Sequence, residues 1–343
     1  MQCRVKIEIK LIDAFPIERW ISPGNLPMRR VALIYNPASG QYSSRRGPVI
    51  EQAVAALRGA GIEAEAIETP APESAGALAQ EAIGRGCDAI IACGGDGTVH
   101  EVLQTLVGTD VALGVLPLGT ANALAANLGL SLSPGKAIRE LITAQPMRVP
   151  VGRITFQDRA GAAQVRYFTV AVGVGADALF LSRLDARLKR RLGYLLYLVE
   201  AFRVWATHSF PLFEAVFEER ESSLPRTMEI SQLLAVRIRD FGGVLHELAP
   251  GATLHNDGLR LLAFKTRSRF DYFRFLMAVV FRRHTFKRQI ELLDAVSVEC
   301  RPRPGSRGPV FAEADGELLG QIPVCIDIAD QTVILMIPLN ARP

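Results

Sequence analysis

The sequence feature that most constrains the fold is a regular alternation of short apolar segments with amphipathic segments from residue 31 to residue 128. The apolar segments are rich in branched aliphatic residues and run into turn-forming residues, as buried strands do, whereas the segments between them have helical periodicity. Strands that alternate with helices predict a parallel, doubly wound sheet, and the loops after its strands gather at one edge, where ligands bind. The predicted strands are Val31–Tyr35, Ile62–Thr69, Asp88–Ala92 and Val111–Leu116, and the predicted helices are Val49–Arg58, Ser74–Ile83, Val99–Val107 and Ala121–Leu128.

Beyond about residue 150 the pattern changes, because strand-like segments then follow one another and only Leu179–Trp205 and Phe270–Phe281 are helical. This order is typical of a mainly antiparallel β domain. We therefore predict an α/β domain at residues 28–150 and a β-rich domain at residues 151–328, with the segment from about 329 to 343 packing back on the first domain. The predicted strands here are Val151–Phe156, Val165–Val172, Phe213–Phe217, Gln232–Arg239, Leu259–Lys265, Ala295–Cys300, Val324–Ile328 and Thr332–Pro338.

Residues 1–27 form an N-terminal extension before this pattern begins. Apolar and charged residues alternate from Val5 to Leu11, which predicts a strand, and prolines break the chain before Met28. Two interpretations stay open: a native strand with a linker, or translation from upstream of a natural start at Met28.

Composition narrows the class of protein. The chain has 343 residues, of which 49% are hydrophobic, and a net charge of only +4, so it can form a packed core and gives no indication of nucleic-acid binding. Its five cysteines include no CxxC spacing, which argues against a zinc site or a disulfide framework and favours the reducing cytoplasm. No apolar run reaches the roughly 20 residues that span a bilayer, and charged residues interrupt any signal-peptide core near Met1.

The glycine-rich segment Gly94-Gly95-Asp96-Gly97-Thr98 carries the strongest chemical signal, since it follows a buried strand and opens a helix. Glycines let backbone N–H groups approach a phosphate closely, and the helix N-terminus adds partial positive charge. Thr98 could cap the helix or bond a phosphate oxygen, and Asp96 would face the metal ion that accompanies the phosphates. A tight turn with Asp96 as a solvated cap is the alternative, but the strand–loop–helix context favours a nucleotide site.

Two further loops follow neighbouring strands. Asn36-Pro37-Ala38-Ser39-Gly40 ends the first strand with a tight turn and a hydroxyl, a pattern that by itself is more typical of an ordinary turn. Leu116–Asn122 repeats the glycine-loop design one strand later, with Gly119 for close approach and Thr120 at the start of the next helix. Two adjacent phosphate-type loops on one sheet edge indicate a nucleotide site far more specifically than one loop does.

In this order and spacing the three loops resemble those of the diacylglycerol kinase catalytic-domain family, which also contains sphingosine and ceramide kinases, and in particular its bacterial lipid kinases of the YegS type. The resemblance spans about residues 28–340. It implies ATP and Mg²⁺ as cofactors and a lipid alcohol, diacylglycerol or similar, as the acceptor of the γ-phosphate. The ATP-binding residues that it implies are Asn36, Ser39, Gly40, Gly94, Gly95, Asp96, Gly97, Thr98, Glu101, Gly119, Thr120 and Asn122.

Two later segments are similar to the substrate side of that family. A glycine-rich turn at Val172–Ala178 includes Asp177, which the resemblance makes a candidate contact for the lipid head group. Asp315-Gly316-Glu317 matches an acidic motif that is thought to accept the proton of the lipid hydroxyl. We favour Asp315 as this base with Glu317 as the alternative, and Asp96 completes the candidate catalytic residues.

The segment His255–Leu259 resembles a turn that holds a structural Mg²⁺ in the family. The resemblance implies Asp257 as the charged ligand and the carbonyls of Leu254 and Leu259 as its partners, with waters completing the roughly six oxygens that such a cation takes. An Asp-Gly hairpin turn without a metal accounts for the same residues equally well.

A lipid acceptor has to be reached at a membrane surface, so we expect a cytoplasmic enzyme in peripheral contact with the inner face of the membrane. Residues 265–288 combine many basic and aromatic residues that suit anionic lipid, and Lys189–Arg191 is a second candidate. A helix packed on the β domain with a solvated face is the alternative. We expect no nucleic-acid partner, and a homodimer is an open alternative.

Two rival functions remain. NAD kinase shares a similar glycine loop and two-domain plan but lacks the Leu116–Asn122 loop in this form. A regulator that binds nucleotide or lipid without catalysis would keep the fold, but the acidic residues Asp96, Asp315 and Glu317 argue against it.

Overall fold

A computed structural model describes residues 28–37, 46–158, 160–176, 178, 210–220, 222, 224–241, 247–281, 288–306 and 308–339. The predicted extension at residues 1–27 and the predicted helix Leu179–Trp205 lie outside the described residues. So do Ser39, Gly40 and Asp177, three of the predicted site residues. In the part of the chain that is described, no helix is both long enough and apolar enough to cross a bilayer.

The first half of the chain contains the predicted parallel sheet, in which four strands lie in the order β2-β1-β3-β4. All residues of β3 and β4 are buried, which explains their continuous apolar sequence. Right-handed crossovers put α1 and α2 on opposite faces of the sheet, where α1 packs on α5 and α2 on α3. The elements are β1 (Arg30–Tyr35), α1 (Arg46–Gly59), β2 (Glu63–Glu68), α2 (Ala75–Gly84), β3 (Ala89–Gly94), α3 (Asp96–Leu106), β4 (Ala112–Pro117), α4 (Ala123–Asn127) and α5 (Pro134–Ile142).

The second half is antiparallel, as predicted, and forms two sheets. One group of strands extends the first sheet beyond β4 in the order β16-β13-β8-β9, and six strands form a second sheet in the order β12-β11-β10-β7-β14-β15. The elements are β5 (Gln145–Gln157), β6 (Ala163–Phe168), β7 (Ala171–Val174), β8 (Phe213–Glu218), β9 (Arg226–Ile230), β10 (Gln232–Val236), β11 (Leu259–Phe264), α6 (Arg269–Val280), β12 (Ile290–Ala295), β13 (Ser297–Pro302), β14 (Phe311–Ala314), β15 (Glu317–Gln321) and β16 (Val324–Ile337).

The long strand β16 joins the two halves. Its first residues pair antiparallel with β13, and Ile334 and Leu335 pair in parallel with β4, while β5 runs along it for most of its length. The two strands that the sequence predicts here are one strand with a change of register between Ile328 and Thr332. The predicted boundary near residue 150 falls inside β5, so the backbone ladder crosses it.

The predicted strand Val165–Val172 is two strands, β6 and β7, because the backbone between them turns away from the ladder. The N–H groups of Thr169, Val170 and Ala171 donate to the carboxylate of Asp315 instead of to a neighbouring strand. No pattern in the sequence predicted α5, β9, β12, β14 and β15. Helix α3 begins three residues earlier than predicted, inside the glycine-rich segment.

Candidate active site

The two glycine loops after β3 and β4 touch each other through their backbones. The N–H of Leu118 donates to the carbonyl of Gly94 at 2.9 Å. A Cβ atom added to Gly119 would lie 2.4 Å from the Cα of Gly95, so only glycine allows this approach. The loops therefore form one continuous surface at the edge of the sheet, where the sequence predicts the phosphates.

Asn122 closes the loop after β4. Its backbone is left-handed, with φ of 50°, which asparagine tolerates better than most residues. Its side-chain oxygen accepts from the N–H of Gly119 at 2.8 Å, and its side-chain nitrogen donates to the Gly119 carbonyl at 3.0 Å. Asn122 thus shapes the loop, whereas Thr120 is exposed beside it. Their contacts with ATP stay predictions.

Asp96 lies in the first turn of α3 and connects the two loops. Its Oδ1 atom accepts from the N–H of Ala123, the first residue of α4, at 2.8 Å. Burial raises the pKa of Asp96, and the hydrogen bond from Ala123 offsets part of that rise. A carboxylate held at this junction can approach phosphates that rest on either loop.

Two further residues of the glycine-rich segment, Thr98 and Gly97, differ in burial. Thr98 is buried, and a Cβ atom on Gly94 would lie 2.4 Å from its Oγ1 atom, so the hydroxyl packs against the loop backbone. Gly97 is exposed in the first turn of α3. The N-cap residue of α3 is Gly95, which has no side chain to bond the first N–H groups of the helix, so an anion could approach this end.

A buried arginine that the sequence analysis did not single out links the first and third loops. Arg46, at the start of α1, donates to the carbonyl of Asn36 and, at 3.4 Å, to the carbonyl of Leu118. Burial lowers the pKa of its guanidinium. A basic residue at the start of a helix that follows a predicted phosphate loop is a signal that could have marked it.

Glu101 is directed away from the glycine loops toward α2. Its two carboxylate oxygens accept from the N–H groups of Glu73 and Ala75 at 3.2 and 2.9 Å. Glu101 therefore satisfies N–H groups at the start of α2, a position that favours negative charge. Its predicted contact with ATP has no support in this geometry.

The β14–β15 turn brings Asp315 against the loop between β6 and β7. The Asp315 carboxylate accepts from the N–H groups of Thr169, Val170 and Ala171 at 2.9, 2.9 and 3.0 Å. Its side chain is 3% exposed. These bonds give Asp315 a structural role in holding the loop between β6 and β7. The geometry therefore does not favour Asp315 over Glu317 as the base.

Glu317, two residues later, has the accessibility that a base requires, with 39% of its side chain exposed. Between the two carboxylates lies His100 of α3, whose Nδ1 atom is 3.5 Å from Asp315 Oδ2 and whose Nε2 atom is 3.5 Å from Glu317 Oε2. Gln104 approaches the same ring at 3.4 Å and donates to the Tyr167 carbonyl at 2.9 Å. His100 lies in the glycine-rich motif of the sequence, but its role could not be predicted because its partners, Asp315 and Glu317, are distant in the sequence.

The charges of this cluster influence one another. Burial lowers the pKa of His100, but the hydrogen bond and charge of Asp315 and the charge of Glu317 outweigh burial and hold this pKa above its ordinary value, against an opposing effect of Arg166. Burial raises the pKa of Glu317, and the charge of His100 offsets part of this rise. A charged His100 therefore favours the ionised form of Glu317.

The turn that resembles a structural Mg²⁺ site is already contacted by a cation. Arg237, 1% exposed, donates to the carbonyl of Leu254 at 2.9 Å and to that of Asn256 at 3.3 Å. The Leu254 carbonyl is one of the predicted metal ligands, and a fixed guanidinium against it repels a divalent ion. Asp257 is the single acidic residue of the turn. Among the described residues there is no group of three acidic, histidine or cysteine side chains suited to a metal. The guanidinium on the Leu254 carbonyl does not fit a Mg²⁺ on the same oxygen, which favours the metal-free turn, whereas the ligand roles of Asp257 and Leu259 stay predictions.

Arg237 also ties this turn to the other half of the molecule, since it donates to the carbonyl of Pro150 in β5 at 2.8 Å. No pattern in the sequence reveals Arg237, because nothing local distinguishes a buried arginine at a strand end from an exposed one.

Two sequence profiles cover most of the chain. Residues 30–154 match the diacylglycerol kinase catalytic domain, and residues 169–337 match the YegS C-terminal NAD kinase beta sandwich-like domain. These matches define the class of protein, a kinase with an α/β half and a β-sandwich half. The chain belongs to the diacylglycerol kinase catalytic-domain family, as the three loops predicted.

Proteins that are similar to this chain cover between about half of it and nearly all of it. A diacylglycerol kinase of Mycobacterium tuberculosis is 27% identical over 314 residues, which are 90% of this chain and 95% of that protein. A probable YegS-like lipid kinase of Chromohalobacter salexigens is 37% identical over 165 residues, 47% of this chain and 49% of its own. The crystal structure of a putative diacylglycerol kinase from Bacillus anthracis superposes with a TM-score of 0.70 at 18% identity, covering 91% of this chain and 97% of the other, a likeness of fold.

Proposed function

We propose that this protein is an ATP-dependent lipid kinase that transfers the γ-phosphate to a hydroxyl of diacylglycerol or a similar lipid alcohol. The observation that carries the proposal is the position of Glu317, an accessible carboxylate at the edge of the glycine-rich phosphate loop. A Cβ atom added to Gly97 would lie 4.0 Å from Glu317 Oε1. A hydroxyl bound between this carboxylate and the loop would have a base on one side and the phosphate on the other.

ATP phosphates are expected on the backbone N–H groups of residues 94–98 and on the loop at Gly119. The contact between Gly95 and Gly119 supports this, because it turns the two loops into one surface. The start of α3 adds its partial positive charge at the same place.

Glu317 is assigned as the base in preference to Asp315, whose oxygens accept three backbone N–H groups. The carboxylate of Glu317 takes the proton of the lipid hydroxyl as the new O–P bond forms, and the bond from the γ-phosphorus to the β–γ bridging oxygen breaks to release ADP. His100 orients Glu317 and favours its ionised form. Because phosphoryl transfer depends mostly on positioning and charge neutralisation, a weak base suffices.

Asp96 is the residue that would hold Mg²⁺ beside the phosphates, since a carboxylate is the kind of hard oxygen ligand that this ion prefers. A bound Mg²⁺ would neutralise charge on the phosphates. With one acidic ligand from the protein, phosphate oxygens and waters would complete the coordination.

The test is transfer of label from ATP in the presence of Mg²⁺ to a panel of diacylglycerol, phosphatidylglycerol, a sphingoid base and NAD. We expect label in a lipid alcohol with the full chain and far slower labelling with a Glu317→Gln variant. Label in NAD alone would indicate NAD kinase activity instead. ATP binding without any transfer would favour a non-catalytic regulator.

A further inference from the structure

Helix α6 has an inner and an outer apolar face. Tyr272 and Phe275 pack on Phe264 of β11, with ring centroids 4.9 and 5.1 Å from its ring, and Val279 is 1% exposed. The outer face carries large hydrophobic residues that are 43–69% exposed, namely Phe270, Phe273, Leu276 and Phe281. Such a cluster within one helix and its C-cap differs from the single exposed hydrophobic residues that are normal on a surface.

Positive charge accompanies this outer face. Arg267 and Arg269 are exposed, and the guanidinium of Arg274 lies 5.7 Å from the ring centre of Phe270. The one acidic residue of the helix, Asp271, accepts from the Thr266 hydroxyl at 2.9 Å at the start of the helix. The outer face of α6 therefore presents aromatic rings and arginines together.

The inner face of α6 leads to the glycine-rich turn after β7. The hydroxyl of Tyr272 lies 2.8 Å from that of Ser231. A Cβ atom on Gly175, whose φ is 125°, would lie 2.8 Å from the Ser231 carbonyl oxygen, so the turn rests directly on Ser231. Only one residue therefore separates the helix from the turn at which the sequence predicts the lipid head group.

We propose that the outer face of α6 binds the surface of an anionic bilayer and holds the Gly175 turn at that surface. The inference rests on the proposed function, because the bilayer is where a lipid acceptor is found. Aromatic residues beside arginines suit the interface between headgroups and acyl chains. A second copy of the chain would present the same positive face, and two like-charged faces repel each other.

Vesicle binding tests the aromatic residues first. The full chain is floated with phosphatidylcholine vesicles that contain or lack phosphatidylglycerol. We expect binding to the anionic vesicles and its loss in a Phe270→Ser, Phe273→Ser variant. The matched control is Leu132→Ser, Leu224→Ser, which removes hydrophobic side chains that are 52% and 75% exposed elsewhere on the surface; it should bind like the parent.

Charge reversal tests the arginines. Each surface cation contributes enough that Arg267→Glu with Arg269→Glu should lower the partition coefficient on anionic vesicles by about tenfold or more. The control reverses the exposed pair Lys136 and Arg139 on α5. A smaller loss in the control than in the α6 variant supports the proposal, and equal losses overturn it, because the attraction would then be due to net charge alone.

Activity on a dispersed short-chain diacylglycerol separates this inference from the proposed function. Variants that keep this activity but lose phosphorylation of vesicle lipid support membrane binding by α6. Vesicle binding through α6 without phosphorylation of any lipid would contradict the proposed kinase activity but would still support α6 as a membrane-binding surface. If the aromatic variant binds vesicles like the parent, or if the parent is a dimer that this variant makes monomeric, the proposal is overturned.

Discussion

The Nε2 atom of His100 lies 3.5 Å from the Oε2 atom of Glu317, so a buried histidine of the α/β half contacts the proposed base from the β half. The other ring nitrogen faces Asp315, which backbone N–H groups hold in place. The base is thus positioned by Asp315 through His100, which lies 215 residues before Asp315 in the sequence.

Replacing the two acidic residues of the β14–β15 turn should have different consequences, one mainly for turnover and the other mainly for stability. Glu317→Gln should lower turnover by about 10²–10⁴-fold, because it removes the base, and should change stability less than Asp315→Asn, because the glutamine amide can still bond to His100. Asp315→Asn should lower the free energy of unfolding by about 1–3 kcal/mol, because an amide cannot accept all the N–H groups that face it. Steady-state kinetics and denaturant unfolding distinguish them. Parent-like turnover in Glu317→Gln would remove it as the base.

A His100→Gln variant should change the pH dependence of turnover. Loss of the positive charge raises the pKa of Glu317 further, so the acidic limb of the kcat profile should move to higher pH. A purely structural role would lower the rate without moving the limb. The measurement is kcat from about pH 5 to pH 9 for both proteins.

The same histidine should also give a pH-dependent contribution to stability. Because its folded pKa is raised above the ordinary value of about 6.5, its stabilisation is fully present below that pH and is lost as the pH rises through the folded pKa. The difference in unfolding free energy between the parent and His100→Gln should therefore shrink as the pH rises. A constant difference would mean that His100 stays neutral.

Asp96→Asn should keep the fold and lose activity. The side-chain oxygen of asparagine can still accept from the N–H of Ala123, so the loop junction survives, whereas the charge that faces the phosphates is lost. We expect turnover to fall by at least about tenfold with an unchanged unfolding midpoint, since a charge-stabilising contact in the transition state contributes at least that much. Kinetics at several Mg²⁺ concentrations provide the check, and full activity would contradict the assignment.

Gly119→Ala should abolish ATP binding, because the new methyl group would force the two glycine loops apart. Gly135→Ala on α5 is the matched control, since no atom lies within 4 Å of its added Cβ atom. Alanine in a helix is favoured over glycine, so the control should be at least as stable as the parent. Calorimetric titration with ATP compares the two, and equal affinities would show that the loop contact is not required.

Chelation should not destabilise the turn at Leu254–Leu259. Because Arg237 supplies its positive charge, EDTA should leave the unfolding midpoint unchanged, and Asp257→Asn should have little effect. Arg237→Met should destabilise the protein by about 1–3 kcal/mol through the carbonyls that it leaves without a donor. If EDTA lowers the unfolding midpoint of the parent but not that of Asp257→Asn, the turn binds a structural metal after all.

The parts that the sequence predicted are those that short-range patterns determine. The parallel sheet followed from periodicity, and the glycine loops from residues that lie within a few positions of one another. The preference for Asp315 over Glu317 was not supported, because their accessibilities depend on the pairing of β14 with β7, which no local pattern reveals. Arg237 could not be predicted for the same reason, since carbonyls distant in the sequence determine that it is buried, whereas the position of Arg46 after the first loop was a local signal.

The position of β16 also bears on how the chain folds during synthesis. It emerges after every other described strand, yet it lies between β4 and β13 in the completed sheet. Until it is made, β4 presents an open edge with unpaired backbone groups, the kind of edge that invites mispairing. The α/β half is therefore expected to stay incomplete on the ribosome, and a chain truncated before residue 324 should aggregate rather than fold.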